Sequence, residues 1–488
     1  MSDKMRRITA KAVAEMITND SVVIPGGFGC CGHPDLLTQA LSERFFRERQ
    51  PTGLTLLFAS GAGDKQGNGL DKLAHPALVK RAIGGFWGFC PALTKLGRKG
   101  EIEAHNWPMG AISHLFRDIA SGLDGHFSRV GLHTFVDPRH EGGGLTKDTA
   151  SLVEVVTVRN KELLYYPSPG ADFALLRGTL ADEHGNISMS GEAALHDAFW
   201  QAMATRNCGG RVAVQVENIV HSLPAEQVDI PGHLVDFIIE TNDHHYPSYG
   251  AAQNITTEQM PVLSLEKTLI VNRACTEPIQ PGAFLNFGIG IPALIGRRLT
   301  NRNDQIYTSV ESGVINGRPK EGIAFGEVSD FSSIVQQSDL FSYYNGGGID
   351  VAFLGFAEID QYGNINASAF GEKFTGAGGF INIVSSAKKL VFCGTFTTKG
   401  LQLEMQGHNI CIRSEGKIPK FVERVQQITV ATNHSDFWDK DIRIITERAV
   451  FSLHKGEFVL EELTEGISIN DVLQAIPFSI KISQKIRQ

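Results

Sequence analysis

An internal repeat is the feature that most narrows the possible folds of this 488-residue sequence. Residues 172–190 align without gaps on residues 350–368, and eight of the nineteen positions are identical at a constant offset of 178. The β-branched segments that follow, 211–216 and 389–394, keep the same offset. Self-similarity at one fixed offset predicts that the chain contains two copies of one structural unit.

The pattern of apolar residues indicates the class of that unit. Short β-branched runs at 21–25, 54–59, 211–216, 306–310 and 390–393 alternate with amphipathic helical stretches, which is typical of an α/β fold with largely parallel sheets. The sequence therefore predicts two tandem, related, open α/β domains of Rossmann-like type. We place them at residues 1–241 and 262–488, joined by a polar linker without periodicity at 242–261. The first domain carries a long insertion between about residues 61 and 147.

A glycine-rich turn follows the first predicted strand. Gly27-Phe-Gly-Cys-Cys-Gly32 has the G-x-G-x-x-G spacing, and Pro34 is placed to begin a helix. A nicotinamide dinucleotide site also needs an acidic residue at the end of the second strand, and that strand ends in Ser60-Gly61. The turn is therefore a poor candidate for a nicotinamide site. Cys30 and Cys31 are interpreted as small buried thiols behind the turn rather than as reactive groups.

A similar turn opens the second half. Gly288-Ile289-Gly290 follows a predicted strand, and the strand 306–310 ends about twenty residues later at Glu311. In a dinucleotide site this glutamate would bind a ribose, but Ala293 replaces the third fingerprint glycine. The sharp turn Glu311-Ser-Gly313 is expected to direct the carboxylate towards the carboxyl edge of the sheet. A solvated or helix-capping glutamate is the alternative.

The second half contains a further glycine cluster, Thr375-Gly-Ala-Gly-Gly379, before a stretch that we predict to be β-rich. Its bare backbone is suited to bring main-chain N–H groups to a ligand. A tight turn without a functional role is the interpretation that these residues alone favour.

Composition and missing motifs exclude several functions. A net charge of −8 without a basic stripe argues against nucleic-acid binding, and no apolar run approaches the ~18 residues that span a membrane. Seven cysteines without a C-x-x-C pair and the lack of a signal peptide predict a cytoplasmic protein with reduced thiols. P-loop, G-x-S-x-G and H-E-x-x-H motifs are absent, and the histidines of the insertion match no common zinc spacing, so no metal is expected.

Several longer segments resemble the family I coenzyme A transferases in their fused two-subunit form, with the acetate/propionate CoA-transferases most similar. They extend over nearly the whole chain and are residues 134–139, 142–144, 322–326, 346–351, 375–381 and 446–451. The resemblance implies a CoA-transferase/ribose-5-phosphate isomerase-like fold for both domains.

The resemblance also implies roles for residues. The family's nucleophilic glutamate lies in a Glu-x-Gly turn, which is Glu311 here, although Ser312 stands where relatives have Thr or Asn. Gly288, Ile289 and Gly290, together with Gly378 and Gly379, match the family's CoA loops, and we expect these turns to stabilise oxyanions. Gly27, Phe28 and Gly29 are expected to face the second-half site and to help to shape the acyl pocket.

The implied activity is exchange of CoA between a short-chain acyl-CoA and a carboxylate of the acetate, propionate, butyrate or acetoacetate class. It would proceed through an acyl-glutamyl anhydride and a glutamyl-CoA thioester, with CoA as a substrate and no permanently bound cofactor. A homodimer or homotetramer is expected. The alternatives are an acyl-CoA thioester hydrolase that uses the same glutamate and a non-catalytic acyl-CoA-binding protein, with a nicotinamide oxidoreductase last.

Overall fold

A computed structural model describes residues 7–241, 262–300, 305–320 and 324–487. It confirms the predicted α/β class, with one large sheet in each half of the chain. The predicted linker, 242–261, lies outside the described residues, so the proposed boundaries stay a prediction.

The large sheet of the first half is parallel throughout. Its strands, in spatial order, are Phe237–Glu240, Arg211–Val216, Phe173–Arg177, Val22–Pro25, Leu54–Ser60, Val79–Phe86 and Glu103–Asn106. The last two come from the insertion, which thus extends the sheet rather than forming a separate unit. Every residue of Leu54–Ser60 is buried, because helices and the second half of the chain cover both faces of the sheet.

Five strands of the large second-half sheet repeat the spatial order of five first-half strands, when the second sheet is followed from its opposite edge. Its strands are Ser333–Ile334, Val314–Ile315, Tyr307–Val310, Phe284–Phe287, Val351–Gly355, Lys389–Cys393, Asp441–Ile445, Ala449–His454, Glu457–Leu463 and Lys481–Arg487. The five from Tyr307–Val310 to Asp441–Ile445 are parallel. The repeated segments correspond: Phe173–Arg177 and Val351–Gly355 occupy the same place in the two sheets. The predicted strands therefore match the observed ones to within one residue at each end.

Small sheets and hairpins complete the two halves. Their strands are Gly125–Ser128, Glu154–Val158, Lys161–Pro167, Leu180–Asp182, Ile187–Ser188, Asn218–Val220, Arg318–Pro319, Val328–Ser329, Glu358–Asp360, Asn364–Asn366, Ala369–Phe370, Lys373–Phe374, Thr397–Thr398, Gln402–Gln406, Asn409–Ser414, Ile418–Pro419, Phe421–Val422 and Val430–Ala431.

The α-helices connect the strands and cover the sheets. They are Ala10–Met16, Asp35–Glu48, Pro91–Arg98, Met109–Ala120, Ala198–Asn207, Leu265–Ala274, Ile291–Thr300, Gln337–Asn345, Phe380–Ser386 and Ile469–Ala475; short 3-10 turns occur at Leu70–Leu73, Ala225–Gln227, Gly232–Leu234 and Ser435–Phe437. Within the described part of the chain, no helix has the length and apolar character needed to cross a bilayer.

One local prediction was wrong. The segment after Gly379, predicted to be β-rich, forms the helix Phe380–Ser386. Its residues Ile381, Ile383 and Val384 are buried in the core that the two halves share. Tertiary burial thus outweighs the strand preference of these β-branched side chains.

The two halves pack through helices. Met109–Ala120 of the insertion lies against Gln337–Asn345 and Phe380–Ser386 of the second half. One apolar cluster runs through this contact, and it includes Ile112 and Phe116 from the first half with Phe341 and Tyr344 from the second. The carboxyl ends of second-half strands therefore lie next to first-half residues.

Candidate active site

Glu311 lies at the carboxyl end of a parallel strand, as predicted. Tyr307–Val310 ends in a tight turn over 311–313, in which Gly313 N–H donates to Val310 O at 3.0 Å. Gly313 has φ +106°, and an added Cβ would lie 2.1 Å from Val335 O. Only glycine fits there, so the turn is fixed and the Glu311 side chain is held at the sheet edge, half-buried.

The surroundings of Glu311 shift its acidity. Burial raises the pKa of the carboxyl group, and hydrogen bonds from the main-chain N–H of Glu311 itself and from the Asn286 side chain oppose the increase. Asn286 in turn donates to the Tyr344 hydroxyl at 3.3 Å, and that hydroxyl lies 2.6 Å from Ser309 Oγ. Burial, followed by the negative charge of Glu311, raises the pKa of Tyr344, which keeps this phenol neutral. The sequence pattern assigned no catalytic role to Asn286 or Tyr344; the position of Asn286 two residues before Gly288 was the one available signal.

The predicted loop 376–379 lies directly against Glu311. A Cβ added to Gly379 would lie 2.9 Å from Glu311 Cγ and 3.2 Å from the Phe341 ring. The loop is held by first-half backbone: Gly378 N–H donates to Gly85 O at 3.0 Å, and Met109 N–H donates to Gly378 O at 2.9 Å. The insertion of the first half therefore positions the second-half loop beside the carboxylate.

These bonds change the expected set of oxyanion donors. Gly378 N–H donates to Gly85 O, and Gly288 N–H donates to Phe353 O at 2.9 Å. Both N–H groups are therefore used within the protein and are not available to a ligand. The N–H groups of Ile289, Gly290 and Gly379 have no acceptor among the described residues. The N–H groups of Gly288 and Gly378 hold the two loops in place, and the expectation that these turns stabilise oxyanions stays a prediction.

The first-half turn contacts the second half, as expected for a shared site. Cys30 N–H donates to Phe325 O at 3.0 Å, and a Cβ on Gly29 would lie 2.7 Å from the Phe325 ring. The Phe28 and Phe325 rings stack with centroids 6.1 Å apart. Gly27, at φ +113°, has no room for a side chain, since an added Cβ would lie 2.9 Å from Cys31 O.

A row of aromatic rings connects that turn with the loop beside Glu311. Phe325 lies 4.9 Å from Phe89, and Phe89 lies 5.5 Å from Phe86, measured between ring centroids. A Cβ on Gly378 would lie 3.2 Å from the Phe86 ring. The expected role of Phe28 in the acyl pocket stays a prediction, and the sequence pattern did not identify Phe86, Phe89 or Phe325.

The buried carboxylate of Asp197 holds a helix that carries two residues of the site. Asp197 Oδ2 accepts hydrogen bonds from Ser113 Oγ at 2.7 Å and from Gln337 Nε2 at 2.8 Å, and Oδ1 accepts from Ser338 N–H at 3.1 Å. It thereby ties the first half to the start of helix Gln337–Asn345, which carries Phe341 and Tyr344. Burial raises the pKa of Asp197 to about 6.

The remaining predicted features concern thiols and metals. None of the seven cysteines, which all lie in the described part of the chain, forms a disulfide. Burial raises the pKa of the Cys30 thiol to about 12 and that of the Cys31 thiol well above its usual value, which fits unreactive thiols. The described residues contain no cluster of three or more His, Cys, Asp or Glu side chains arranged to hold a metal ion.

Comparisons with known proteins identify the family. A sequence model described as Coenzyme A transferase matches residues 6–241 and 268–402. Acetate CoA-transferase YdiF of Escherichia coli K12 is 35% identical over 480 residues, which cover 95% of this chain and 90% of that protein. The chain belongs to the coenzyme A transferase family. Caffeate CoA-transferase of Acetobacterium woodii is 33% identical over 502 residues, which cover 99% of this transferase and 96% of that protein.

Solved structures of acyl-CoA transferases have the same fold as this chain. The apoenzyme of the acyl-CoA transferase YdiF from Escherichia coli O157:H7 matches with a TM-score of 0.93 at 32% identity, covering 100% of this chain and 95% of that one. The same protein in a thioester complex with CoA matches with a TM-score of 0.91, covering 99% and 95%. This protein is therefore a single-chain family I CoA-transferase, and the resemblance inferred from its motifs is confirmed.

Proposed function

We propose that this transferase exchanges CoA between a short-chain acyl-CoA and a short-chain carboxylate, with Glu311 as the nucleophile. The observation that carries the proposal is the half-buried Glu311 carboxylate at the carboxyl edge of the sheet, next to Gly379, whose N–H has no acceptor among the described residues. The names of the similar proteins, acetate and caffeate CoA-transferase, support a carboxylate acceptor.

The first half of the reaction transfers the acyl group. A carboxylate oxygen of Glu311 attacks the thioester carbon, a tetrahedral oxyanion forms, and the C–S bond breaks to give an acyl-glutamyl anhydride and CoA thiolate. Gly379 N–H lies beside this carboxylate without an acceptor in the described part of the chain, and it would stabilise the developing oxyanion. Asn286 would hold the ionised carboxylate in its attacking orientation.

The second half transfers CoA. The thiolate attacks the glutamyl carbonyl carbon of the anhydride, the C–O bond to the acyl carboxylate breaks, and a glutamyl-CoA thioester remains with the released acid. An incoming carboxylate then reverses the steps, so the thioester bond energy is retained. Both intermediates are sensitive to water, and the rings of Phe86, Phe89 and Phe325 would form an apolar wall that excludes it. The turn of Gly27, Phe28 and Gly29 would support this wall from the first half.

Mass spectrometry of the intact protein and of its peptides tests the proposal. After incubation with propionyl-CoA and no acceptor, we expect a CoA adduct on the peptide that contains Glu311, and added acetate should discharge it. Glu311→Ala should lose the adduct, whereas Glu101→Gln, a change of an exposed carboxylate of the first half, should keep it. Consumption of the acyl-CoA without an adduct would favour hydrolysis, and binding without either would favour a non-catalytic protein.

We further propose the organisation that the sequence predicted: domains at 1–241 and 262–488, a homodimer or homotetramer, and a cytoplasmic location. Size-exclusion chromatography with light scattering tests the oligomeric state. A monomeric mass would contradict it.

A further inference from the structure

A cavity of about 240 Å³ lies between the two halves, with first-half residues 129–134 on one side. Its other side includes residues that precede three adjacent parallel strands: Asn345 before Val351–Gly355, Ser385 and Ser386 before Lys389–Cys393, and Phe437 before Asp441–Ile445. The cavity is therefore at the amino edge of the second-half sheet. Glu311 is at the carboxyl edge, and the two edges are roughly 16 Å apart along a strand of five residues.

Two stacked histidine rings line the cavity, one from each half. The ring centroids of His133 and His434 are 3.5 Å apart, and the ring planes are 25° from parallel. The His133 N–H donates to the buried Asp137 Oδ2 at 2.9 Å, and Asp137 is paired with Arg139. His133 has φ +64°, which few residues other than glycine adopt. The backbone thus holds the His133 ring in place without a hydrogen bond to the ring itself.

Both rings present N–H donors that the protein does not use. His434 Nδ1 accepts from Asp436 N–H at 3.5 Å, so the neutral ring carries its proton on Nε2, which has no acceptor among the described residues. Neither ring nitrogen of His133 has a hydrogen-bond partner in the described part of the chain. Because the rings are stacked, one oxyanion can accept from both of them.

The fixed charges around the rings also favour an anion. The Arg129 guanidinium donates to the two carboxylate oxygens of Asp436 at 2.8 and 2.9 Å. The Lys440 ammonium adjoins the lining, where it donates to Ser385 O at 3.0 Å and to Ala387 O at 2.6 Å. Two cations against one carboxylate leave a net positive charge, which suits a ligand with a single negative charge.

Apolar side chains from both halves complete the lining, and they are Val130, Leu132, Ile381, Val384, Val430 and Phe437. They favour a ligand that has a hydrocarbon part beside its charge. The volume of about 240 Å³ is below the ~300–1,000 Å³ that is usual for drug-sized ligands, so the ligand must be small. A short-chain carboxylate has this combination of size, charge and apolar surface.

We propose that this cavity is a second carboxylate site, which binds a free short-chain acid away from Glu311. The carboxylate accepts hydrogen bonds from the rings of His133 and His434, and the alkyl chain packs on the helix Phe380–Ser386. The bound acid contacts both halves and therefore stabilises their packing. The site does not depend on the glutamyl chemistry proposed above.

Protection from diethylpyrocarbonate, which acylates accessible unprotonated imidazoles, tests the proposal at each histidine by peptide mass spectrometry. Butyrate should slow the modification of His133 and His434 and leave the exposed His221 unaffected. Propionate and acetate should need about fourfold higher concentrations for each methylene group removed. Glu311→Ala should show the same protection, because the reacting carboxylate is at the other edge of the sheet.

Substitutions in the cavity should change the butyrate concentration that half-protects His133. His434→Gln should raise it about tenfold, since a hydrogen bond to a charged group is lost. Asp436→Asn should lower it by up to about fivefold, because a like charge is removed and Arg129 is released. Asp148→Asn, at an exposed carboxylate of the first half, is the matched control and should have no effect.

Equilibrium dialysis with labelled butyrate counts the sites directly and does not require the reagent to reach the rings. The double variant His133→Gln, His434→Gln should bind one acid fewer per chain than the wild-type protein. Equal numbers of bound acids in the two proteins would overturn the proposal, as would protection that does not depend on the chain length of the acid. Inorganic phosphate that protects better than butyrate would also overturn it, because the apolar lining would then have no role.

Discussion

Replacing Gly379 with alanine tests the geometry beside Glu311, the proposed nucleophile. Gly379 has φ −80° and ψ −4°, which alanine adopts without strain, so the change acts through the added methyl group alone. That methyl carbon would lie 2.9 Å from Glu311 Cγ, whereas ordinary contacts begin at 3.4 Å. The Glu311 side chain must therefore move by about half an ångström, the difference between these two distances.

The size of the effect follows from this displacement. A misplacement of about 1 Å in a reacting group lowers rates on the order of 100-fold, so half of that predicts a loss of about tenfold in kcat/KM. This corresponds to about 1.4 kcal/mol in the activation barrier. We expect the loss in both the acyl-CoA half-reaction and the complete exchange, because Glu311 is the proposed nucleophile of both. The melting temperature should change by no more than a few degrees.

Steady-state exchange between propionyl-CoA and acetate, with rapid-quench measurement of the Glu311 adduct, is the assay. Gly346→Ala is a matched control: Gly346 also has a helical backbone, at φ −76° and ψ −1°, and the two nearest atoms to its added Cβ are carbonyl oxygens of the preceding helix. A Gly379→Ala enzyme that keeps kcat/KM within about twofold of wild type would show that the carboxylate does not react from this position.

Two further predictions concern the groups that hold the site. Asn286→Ala removes a hydrogen bond that lowers the pKa of Glu311, so this pKa should rise further. The acid limb of the plot of kcat/KM against pH should then move to higher pH. An acid limb at the wild-type position would show that Asn286 does not contact Glu311 in solution. Asp197→Ala leaves Ser113, Gln337 and Ser338 N–H without their shared acceptor and should lower the free energy of unfolding by about 3 kcal/mol, measured by urea denaturation. An unchanged midpoint and slope would contradict the role of Asp197 in joining the two halves.

Much of the architecture was predictable because it depends on local patterns. Mostly apolar runs of strand length such as 54–59 are typical of buried parallel strands in an α/β fold. The constant offset of the repeat identified the corresponding strands in the two halves. Glu311 was predictable for the same reason, since its position depends on the strand before it and on Gly313 after it. The segment 380–386 was not, because its helix depends on burial between the two halves.

The sequence by itself determined the two α/β units, the strand ends and the carboxylate at one of them, because each of these depends on neighbours in the chain. The tertiary structure decided which main-chain donors remain free. Gly378 and Gly85 are 293 residues apart in sequence. Only the packing of the two halves brings them together, so that Gly378 N–H donates a hydrogen bond to Gly85 O. A glycine motif predicts a bare backbone, but the availability of its N–H groups depends on distant acceptors that no local pattern specifies.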